Sequence, residues 1–116
     1  MAGTSNLIIN VGSGTTATFI NLTAGSGFTS GSDTVTINGA AGDENITGPN
    51  IASTIIGGTG DDTVLAGTQN DTIDGGDGAD NLTGGSGDDT YLFDTGDVDS
   101  GEFITELVGE GTDIIK

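Results

Sequence analysis

The 116-residue chain contains no cysteine, no histidine and no tryptophan. Without cysteine it cannot use disulfides to hold its fold, and without cysteine or histidine it cannot build a thiolate or imidazole metal site. Its only proline is Pro49, and its only basic side chain is that of Lys116. Because a P-loop needs a lysine directly after its glycines, this class of nucleotide-binding site is excluded.

Positive charge is almost missing. The chain has 18 acidic side chains against one basic one, which gives a formal net charge of −17. The electrostatic field of this negative charge repels nucleic acid and anionic membrane surfaces and attracts cations. We therefore expect no nucleic-acid partner and a strong preference for metal cations.

Long apolar runs are absent too. No segment approaches the roughly 20 apolar residues that a membrane-spanning helix needs, so we expect no membrane insertion. Residues 1–11 have no basic region and only the short run Leu7 to Ile9, unlike a secretory signal peptide. If the chain is exported, we expect export without a cleaved N-terminal signal.

What the sequence does have is an apolar residue at every ninth position: Phe19, Phe28, Ile37, Ile46, Ile55, Val64, Ile73, Leu82 and Tyr91. A fixed period indicates a repeat architecture. Because a strand alternates its faces, each of these residues points inward from a short strand while its neighbours face water. Two nine-residue units then make one turn, and successive turns stack their strands in parallel. One wall would hold Phe19, Ile37, Ile55, Ile73 and Tyr91, and the other Phe28, Ile46, Val64 and Leu82.

The pattern predicts an all-β solenoid that forms one continuous domain with three parts. Residues 1–56 carry the period but mostly lack an acid in the turn, and residues 7–11 alternate like a strand that pairs with the first coil or covers its end. Residues 57–92 hold four units with a regular acid. Residues 93–116 leave the register, with a short strand at 102–108 and a degenerate unit at 109–115. Glycine interrupts every window of helical length, so no long helix is expected.

The regular acids are Asp62, Asp71, Asp80 and Asp89. Each lies two residues before one of the apolar residues that recur at every ninth position. In a solenoid Asp62 stacks on Asp80 and Asp71 stacks on Asp89, so their charges must be neutralised. Calcium fits, because it accepts 6–8 oxygen ligands at about 2.3–2.6 Å from carboxylates and backbone carbonyls. The turn glycines can adopt positive φ and present such carbonyls. Binding of metal by the folded state alone would make metal affinity part of folding stability.

The units GGTGDDTVL, GGDGADNLT and GGSGDDTYL, which begin at Gly57, Gly75 and Gly84, resemble the nonapeptide G-G-x-G-x-D-x-U-x of the repeats-in-toxin family (RTX, hemolysin-type). The remaining unit, AGTQNDTID, departs at Ala66 and Gln69. The later segments DDTYLFDTGDV and EGTDII look like the run that follows RTX arrays. The resemblance implies a right-handed parallel β-roll with several calcium ions between stacked turns. It also implies a bacterial protein exported by type I secretion, which folds outside the cell or at its surface.

The resemblance further implies which residues bind the ions. A first ion would lie between loops 57–62 and 75–80 and use Asp62, Asp80 and carbonyls near Gly58, Gly60, Gly76 and Gly78. A second would lie between loops 66–71 and 84–89 and use Asp71, Asp89 and carbonyls near Gly67, Gly85 and Gly87. A weaker site would join Glu44 with Asp62, and another weaker site would join Asp80 with the turn that contains Asp94 and Asp97.

Three functions are compatible with this sequence. The first is a non-enzymatic, calcium-stabilised extracellular module, since carboxylate pairs such as Asp61–Asp62 have no pocket-forming segment or second functional group beside them. The second is a self-assembling subunit of an extracellular filament, sheath or surface layer, because exposed end strands at 7–11 and 103–115 can template head-to-tail pairing. The third is the repeat domain of a secreted enzyme or toxin whose catalytic part lies outside these residues.

Overall fold

The computed structural model describes residues 6–13, 16–18, 33–94, 101–106 and 110–116. Within these ranges the regular elements are all β-strands, and no helix occurs. The strands are β1 (Asn6–Asn10), β2 (Thr16–Thr18), β3 (Thr34–Asn38), β4 (Asn45–Thr47), β5 (Ser53–Thr59), β6 (Thr63–Gly67), β7 (Thr72–Asp77), β8 (Asn81–Gly85), β9 (Thr90–Leu92), β10 (Phe103–Thr105) and β11 (Ile114–Ile115). The predicted all-β class is confirmed.

The strands form two parallel sheets between which the chain alternates. Odd-numbered strands follow the order β1-β3-β5-β7-β9-β11, and even-numbered strands the order β10-β8-β6-β4-β2. Each turn of the chain therefore adds one strand to each sheet. This is a parallel β-solenoid, and it is consistent with the predicted β-roll.

The ladder of ninth residues forms the core. Ile37, Ile55, Ile73 and Tyr91 lie on the first sheet, and Ile46, Val64 and Leu82 on the second. The side chain of each is at most 1% exposed. Ile73 lies in register with Ile55 on one side and with Tyr91 on the other. The period of nine thus predicted the inward-facing residues of the coils from residue 37 to residue 91.

The first coil does not follow the predicted walls. β1 pairs with β3 so that Ile9, and not Phe19, lies in register with Ile37. Likewise β2 pairs with β4 with Ala17, and not Phe28, opposite Ile46. The expectation for these two positions was wrong, and Phe19 and Phe28 themselves lie outside the described residues.

The register of β1 has a physical reason. Leu7 and Ile9 alternate with outward residues and pack against the buried core, as a half-buried strand requires. On the outer face the Asn38 side-chain amide donates to Asn10 Oδ1 at 3.0 Å, and Thr34 Oγ1 donates to Asn6 Oδ1 at 3.2 Å. Both faces of β1 therefore favour β3 as its neighbour, although partners are 28 residues apart in the sequence.

At the other end the structure describes one short strand within each of the predicted segments, the strand at 102–108 and the degenerate unit at 109–115. β10 pairs with β8, which places Ile104 opposite Leu82, and β11 pairs with β9, which places Ile115 opposite Tyr91. Both strands are short, and Phe103, Ile114 and Ile115 remain exposed. In the part of the chain that the structure describes, no helix has the length and apolar character needed to cross a bilayer.

Core packing can be tested with two isoleucines of the same sheet. Ile73 is fully buried on β7, whereas Ile8 on β1 is 58% exposed. In saturating calcium, Ile73→Ala should lower the free energy of unfolding by about 2–5 kcal/mol, because it leaves a cavity between Ile55 and Tyr91. Ile8→Ala should change it by no more than about 0.5 kcal/mol. Urea denaturation measures both, and equal losses would contradict the assignment of the two faces.

Candidate metal site

Two columns of carboxylates run along the turns of the solenoid. The Asp62 column consists of Glu44, Asp62, Asp80 and Glu102, and the Asp71 column consists of Ser53, Asp71, Asp89 and Asp113. In each column the strand registers place successive members one turn apart. The four repeat aspartates are buried, with at most 2% of their surface exposed.

Each repeat aspartate reaches back to the preceding turn. The amide of Asp62 donates to Asp80 Oδ1, and the amide of Asp71 donates to Asp89 Oδ1, both at 2.7 Å. The structure therefore brings together the two pairs, Asp62 with Asp80 and Asp71 with Asp89. Their carboxylates lie inside the stacked loops and not in solvent.

The second oxygen of these carboxylates is the notable feature. Oδ2 of Asp62, Asp71 and Asp89 is buried and has no hydrogen-bond partner within the described residues. A buried, charged oxygen without a partner is strongly unfavourable. Such an atom in a native structure indicates an ion or ligand that satisfies it. Because every side chain of this group offers only oxygen, the chemistry fits a hard cation.

The glycines nominated from the sequence all have left-handed backbone conformations. Their φ angles are 121° at Gly58, 122° at Gly60, 147° at Gly67, 91° at Gly76, 156° at Gly78, 99° at Gly85 and 129° at Gly87. Stacked loops touch backbone to backbone at these residues. A Cβ on Gly76 would overlap the carbonyl oxygen of Gly58, and a Cβ on Gly85 would overlap that of Gly67. Only glycine combines this conformation with this close approach.

The first glycine of a repeat has a further role. A Cβ on Gly57 would overlap the carbonyl oxygen of Gly75 and also lie 2.5 Å from Asp62 Oδ2, and a Cβ on Gly84 would overlap Asp89 Oδ2. These glycines leave room for the carboxylate of their own loop. In the second repeat this position is Ala66, whose side chain is fully buried, so the departure from the repeat pattern lies beside the column.

Toward the N-terminus the Asp62 column keeps an acid, whereas the Asp71 column loses its acids. Glu44 is 2% exposed, and its amide donates to Asp62 Oδ1 at 2.7 Å. In the other column Ser53 replaces the acid, and its amide and hydroxyl donate to Asp71 Oδ1 at 2.7 and 2.8 Å. One further turn back, the position of Ser53 is taken by the fully buried Val35. The inner surface at this position thus changes from ionic to apolar along the solenoid.

Three acids near the C-terminus were not identified from the sequence. Glu102 follows Asp80 in its column, since Phe103 pairs with Asn81. Asp94, nominated for that place, is exposed, and Asp97 lies outside the described residues. Asp113 follows Asp89, and Glu106 lies beside both. The sequence did offer a signal for Asp113, because Asp113 is followed by Ile114 and Ile115 in the order of an acid and then apolar residues. It offered no signal for Glu106.

The loops carry a second, exposed ladder of hydrogen bonds. Asp43 Oδ1 accepts from the amide of Asp61, Asp61 Oδ1 accepts from that of Ala79, and Asn70 Oδ1 accepts from that of Asp88, each at 3.0 Å. The residue before the buried acid therefore ties neighbouring loops together through its side-chain oxygen. This contact explains why aspartate and asparagine recur there.

Burial changes the proton affinity of the columns. Loss of solvent raises the pKa of Asp62 to about 6, and the neighbouring charges of Asp80 and Glu44 add to the effect. Burial raises the pKa of Asp71 to about 7, with a smaller contribution from Asp89. The pKa of Asp89 is raised for the same reason. In the absence of a cation the folded state therefore favours protonated aspartates.

These pKa values predict how stability depends on pH. An unfolded aspartate has a pKa of about 3.9. Because the folded-state pKa is higher, protonation of these aspartates stabilises the folded state. This stabilisation is fully present below pH ~4 and is lost as the pH rises through ~6–7. We expect metal-free protein to show more β-structure by far-UV circular dichroism at pH 4.5 than at pH 8. With calcium the order should reverse, because bound carboxylates must be deprotonated. More β-structure at pH 8 in metal-free buffer would contradict this.

Comparison with known families agrees with this geometry. Residues 55–91 match the family model of the RTX calcium-binding nonapeptide repeat, in four copies. Neither the curated proteins nor the solved structures contain a match to this chain. The segment is therefore an array of RTX repeats, which bind calcium ions, and its buried acids fit that chemistry. Repeats of this kind are typically found in secreted bacterial proteins.

Proposed function

We propose that these RTX repeats make the chain a non-enzymatic module that folds on binding calcium and works outside the cell. The observation that carries the proposal is the buried Oδ2 atom of Asp62, Asp71 and Asp89, which has no hydrogen-bond partner within the described residues. Without a cation, the folded state must either bury these charged oxygens uncompensated or protonate them. With one, the same atoms become ligands.

The ligand set favours calcium. One ion is held by Asp62 and Asp80 with carbonyls near Gly58, Gly60, Gly76 and Gly78, and a second by Asp71 and Asp89 with carbonyls near Gly67, Gly85 and Gly87. Calcium accepts many oxygens in a flexible arrangement, whereas magnesium demands a strict octahedron and keeps several waters. A site built largely from packed backbone leaves little room for waters. Weaker binding is assigned to Glu44 with Asp62. Beyond Asp80, Glu102 replaces Asp94 and Asp97 as the expected partner, because it occupies the next position of the column.

The two ends of the module differ in what stabilises them. In the described part of residues 1–56 the inner face is largely apolar, as Leu7, Val35 and Ile37 show, so side-chain packing holds this part against the calcium-bound coils that follow it. In residues 57–92 the loops contain the buried aspartates, so calcium holds that part, and residues 93–116 close the same continuous domain. A cation that binds only the folded state stabilises it by RT ln(1 + [L]/Kd), about 2.7 kcal/mol per site at 100 Kd. Low cytosolic calcium then leaves the chain unfolded, and higher calcium outside folds it.

Adjacent aspartates supply a matched test. Asp62 is buried, whereas its neighbour Asp61 is exposed. Asp62→Asn keeps the Oδ1 acceptor for the Glu44 amide but removes the charge, and it should weaken calcium binding by about tenfold or more. Asp61→Asn removes the same charge and keeps its acceptor for the Ala79 amide, so it should change affinity by less than about twofold. Calcium titration followed by circular dichroism measures both. Equal effects would show that general charge, and not this column, governs binding.

The exposed ends favour a second candidate, a self-assembling extracellular subunit. Ile8 is 58% exposed on the strand at one edge of the first sheet, and Ile115 is 65% exposed on the strand at the opposite edge. Strands with open edges and apolar side chains template further pairing. Light scattering after calcium addition distinguishes this candidate: growth of the particle supports it, and a persistent monomer contradicts it.

A further inference from the structure

The C-terminal coil extends the Asp71 column by a route that the repeats do not use. The amide of Asp89 donates to Asp113 Oδ1 at 2.9 Å, which reproduces the contact between Asp71 and Asp89. Here, however, the partners are 24 residues apart and not 18. The longer coil brings in Glu106, a carboxylate that has no counterpart in the nonapeptide.

Tyr91 fixes the position of Glu106. The tyrosine hydroxyl donates to Glu106 Oε1 and accepts a hydrogen bond of 2.6 Å from the amide of Gly84. Because Tyr91 is the last ladder residue and is fully buried, its hydroxyl is held by the core. Glu106 is exposed, yet this contact holds it against the loop of the last repeat.

One carboxylate oxygen from each of Asp89, Glu106 and Asp113 lies within 4.8 Å of the other two. Asp89 is only 1% exposed, and its Oδ2 has no hydrogen-bond partner within the described residues. Three carboxylates this close repel one another electrostatically unless a cation lies among them. The single basic side chain of the chain, Lys116, cannot balance all three.

We propose that Asp89, Glu106 and Asp113 bind a further hard divalent cation, with calcium as the expected ion, and that Tyr91 positions Glu106 for it. This site lies outside the repeat-to-repeat pairs and rests on the calcium chemistry proposed for them. Such an ion would hold the last coil onto the solenoid. β11 has only two residues, and Ile114 and Ile115 are exposed, so apolar burial contributes little to docking the last coil. A shared ion would hold Asp113 and Glu106 to the last repeat.

The chain offers a local reporter of ions bound near Asp89, because Tyr91 is its only tyrosine and there is no tryptophan. Terbium replaces calcium at oxygen sites, and excitation of tyrosine sensitises terbium emission only at short range. We compare the full chain with Glu106→Gln, which keeps an oxygen to accept from Tyr91. The control is Asp77→Asn, which removes the charge of an exposed aspartate on β7. Sensitised emission, calcium stoichiometry by calorimetry and hydrogen exchange of residues 110–116 are the readouts.

We expect Glu106→Gln to weaken the sensitised terbium titration by about tenfold, to lower the calcium stoichiometry by one and to speed exchange in residues 110–116. Asp77→Asn should behave like the parent. If Glu106→Gln titrates like the parent while calcium still folds the protein, the terminal site is refuted and the repeat sites stand. If the parent chain binds no calcium at all, both proposals fail.

Discussion

Removal of calcium at neutral pH should abolish most of the far-UV β signal of this protein, and addition of calcium should restore it. The reason is the buried oxygens: Oδ2 of Asp62, Asp71 and Asp89 has no partner in the described structure. A pH of 7.5 is above the pKa of Asp62, about 6, and of Asp71, about 7, so the charged form of both carboxylates predominates. At a calcium concentration of 100 Kd, each of two sites would contribute about 2.7 kcal/mol. Their sum is comparable with the whole stability of a small domain.

The measurement is circular dichroism in excess chelator, followed by titration with calcium and, separately, with magnesium. Magnesium is the control for general screening of the −17 charge, because it carries the same charge but accepts this kind of site poorly. We expect recovery with calcium at concentrations where magnesium has little effect. An equal β signal in chelator and in calcium would contradict calcium-dependent folding.

The second large effect concerns the contact between stacked loops. Gly76→Ala should strongly reduce calcium-dependent folding, because the new Cβ would overlap the carbonyl oxygen of Gly58. That carbonyl belongs to the backbone and is itself an assigned ligand, so it cannot move without loss of the site. We expect a loss of more than about 3 kcal/mol in the free energy of unfolding, the sum of left-handed strain and overpacking.

Gly101 provides the matched control. Its φ of 94° is close to the 91° of Gly76, but the nearest atom to a Cβ there is Ala79 Cβ at 3.7 Å, an ordinary contact. Gly101→Ala therefore has the backbone strain without the overlap, and it should cost only about 1–2 kcal/mol. Urea denaturation in saturating calcium compares the two variants. Similar losses would mean that strain alone, and not loop stacking, makes glycine necessary.

The sequence predicted the regular part of the solenoid because two periods coincide there. Inward residues such as Ile55, Val64 and Ile73 recur every nine positions, and the two-residue alternation of a strand decides which side chain is buried. The same period placed Asp62 one turn from Asp80, so the column followed from the ladder. Aspartates with glycines in fixed phase also carry the RTX pattern, which the family comparison finds over residues 55–91.

The ends could not be predicted in this way. Phe19 and Ile9 are both apolar, and a period of nine cannot tell which of them lies beside Ile37; side-chain contacts such as Asn38 with Asn10 favour β1. At the C-terminus the offset between Asp89 and Asp113 is 24 residues. A single sequence gives no rule for such an offset, so the positions of Glu106 and Asp113 required the three-dimensional structure.

The most direct test of calcium between the coils is a high-resolution crystal structure grown with calcium, with anomalous data to identify the ion. The account predicts anomalous peaks between Asp62 and Asp80 and between Asp71 and Asp89, within about 2.3–2.6 Å of carboxylate oxygens. Loops that contain water alone at both positions, with the aspartates turned toward solvent, would contradict it.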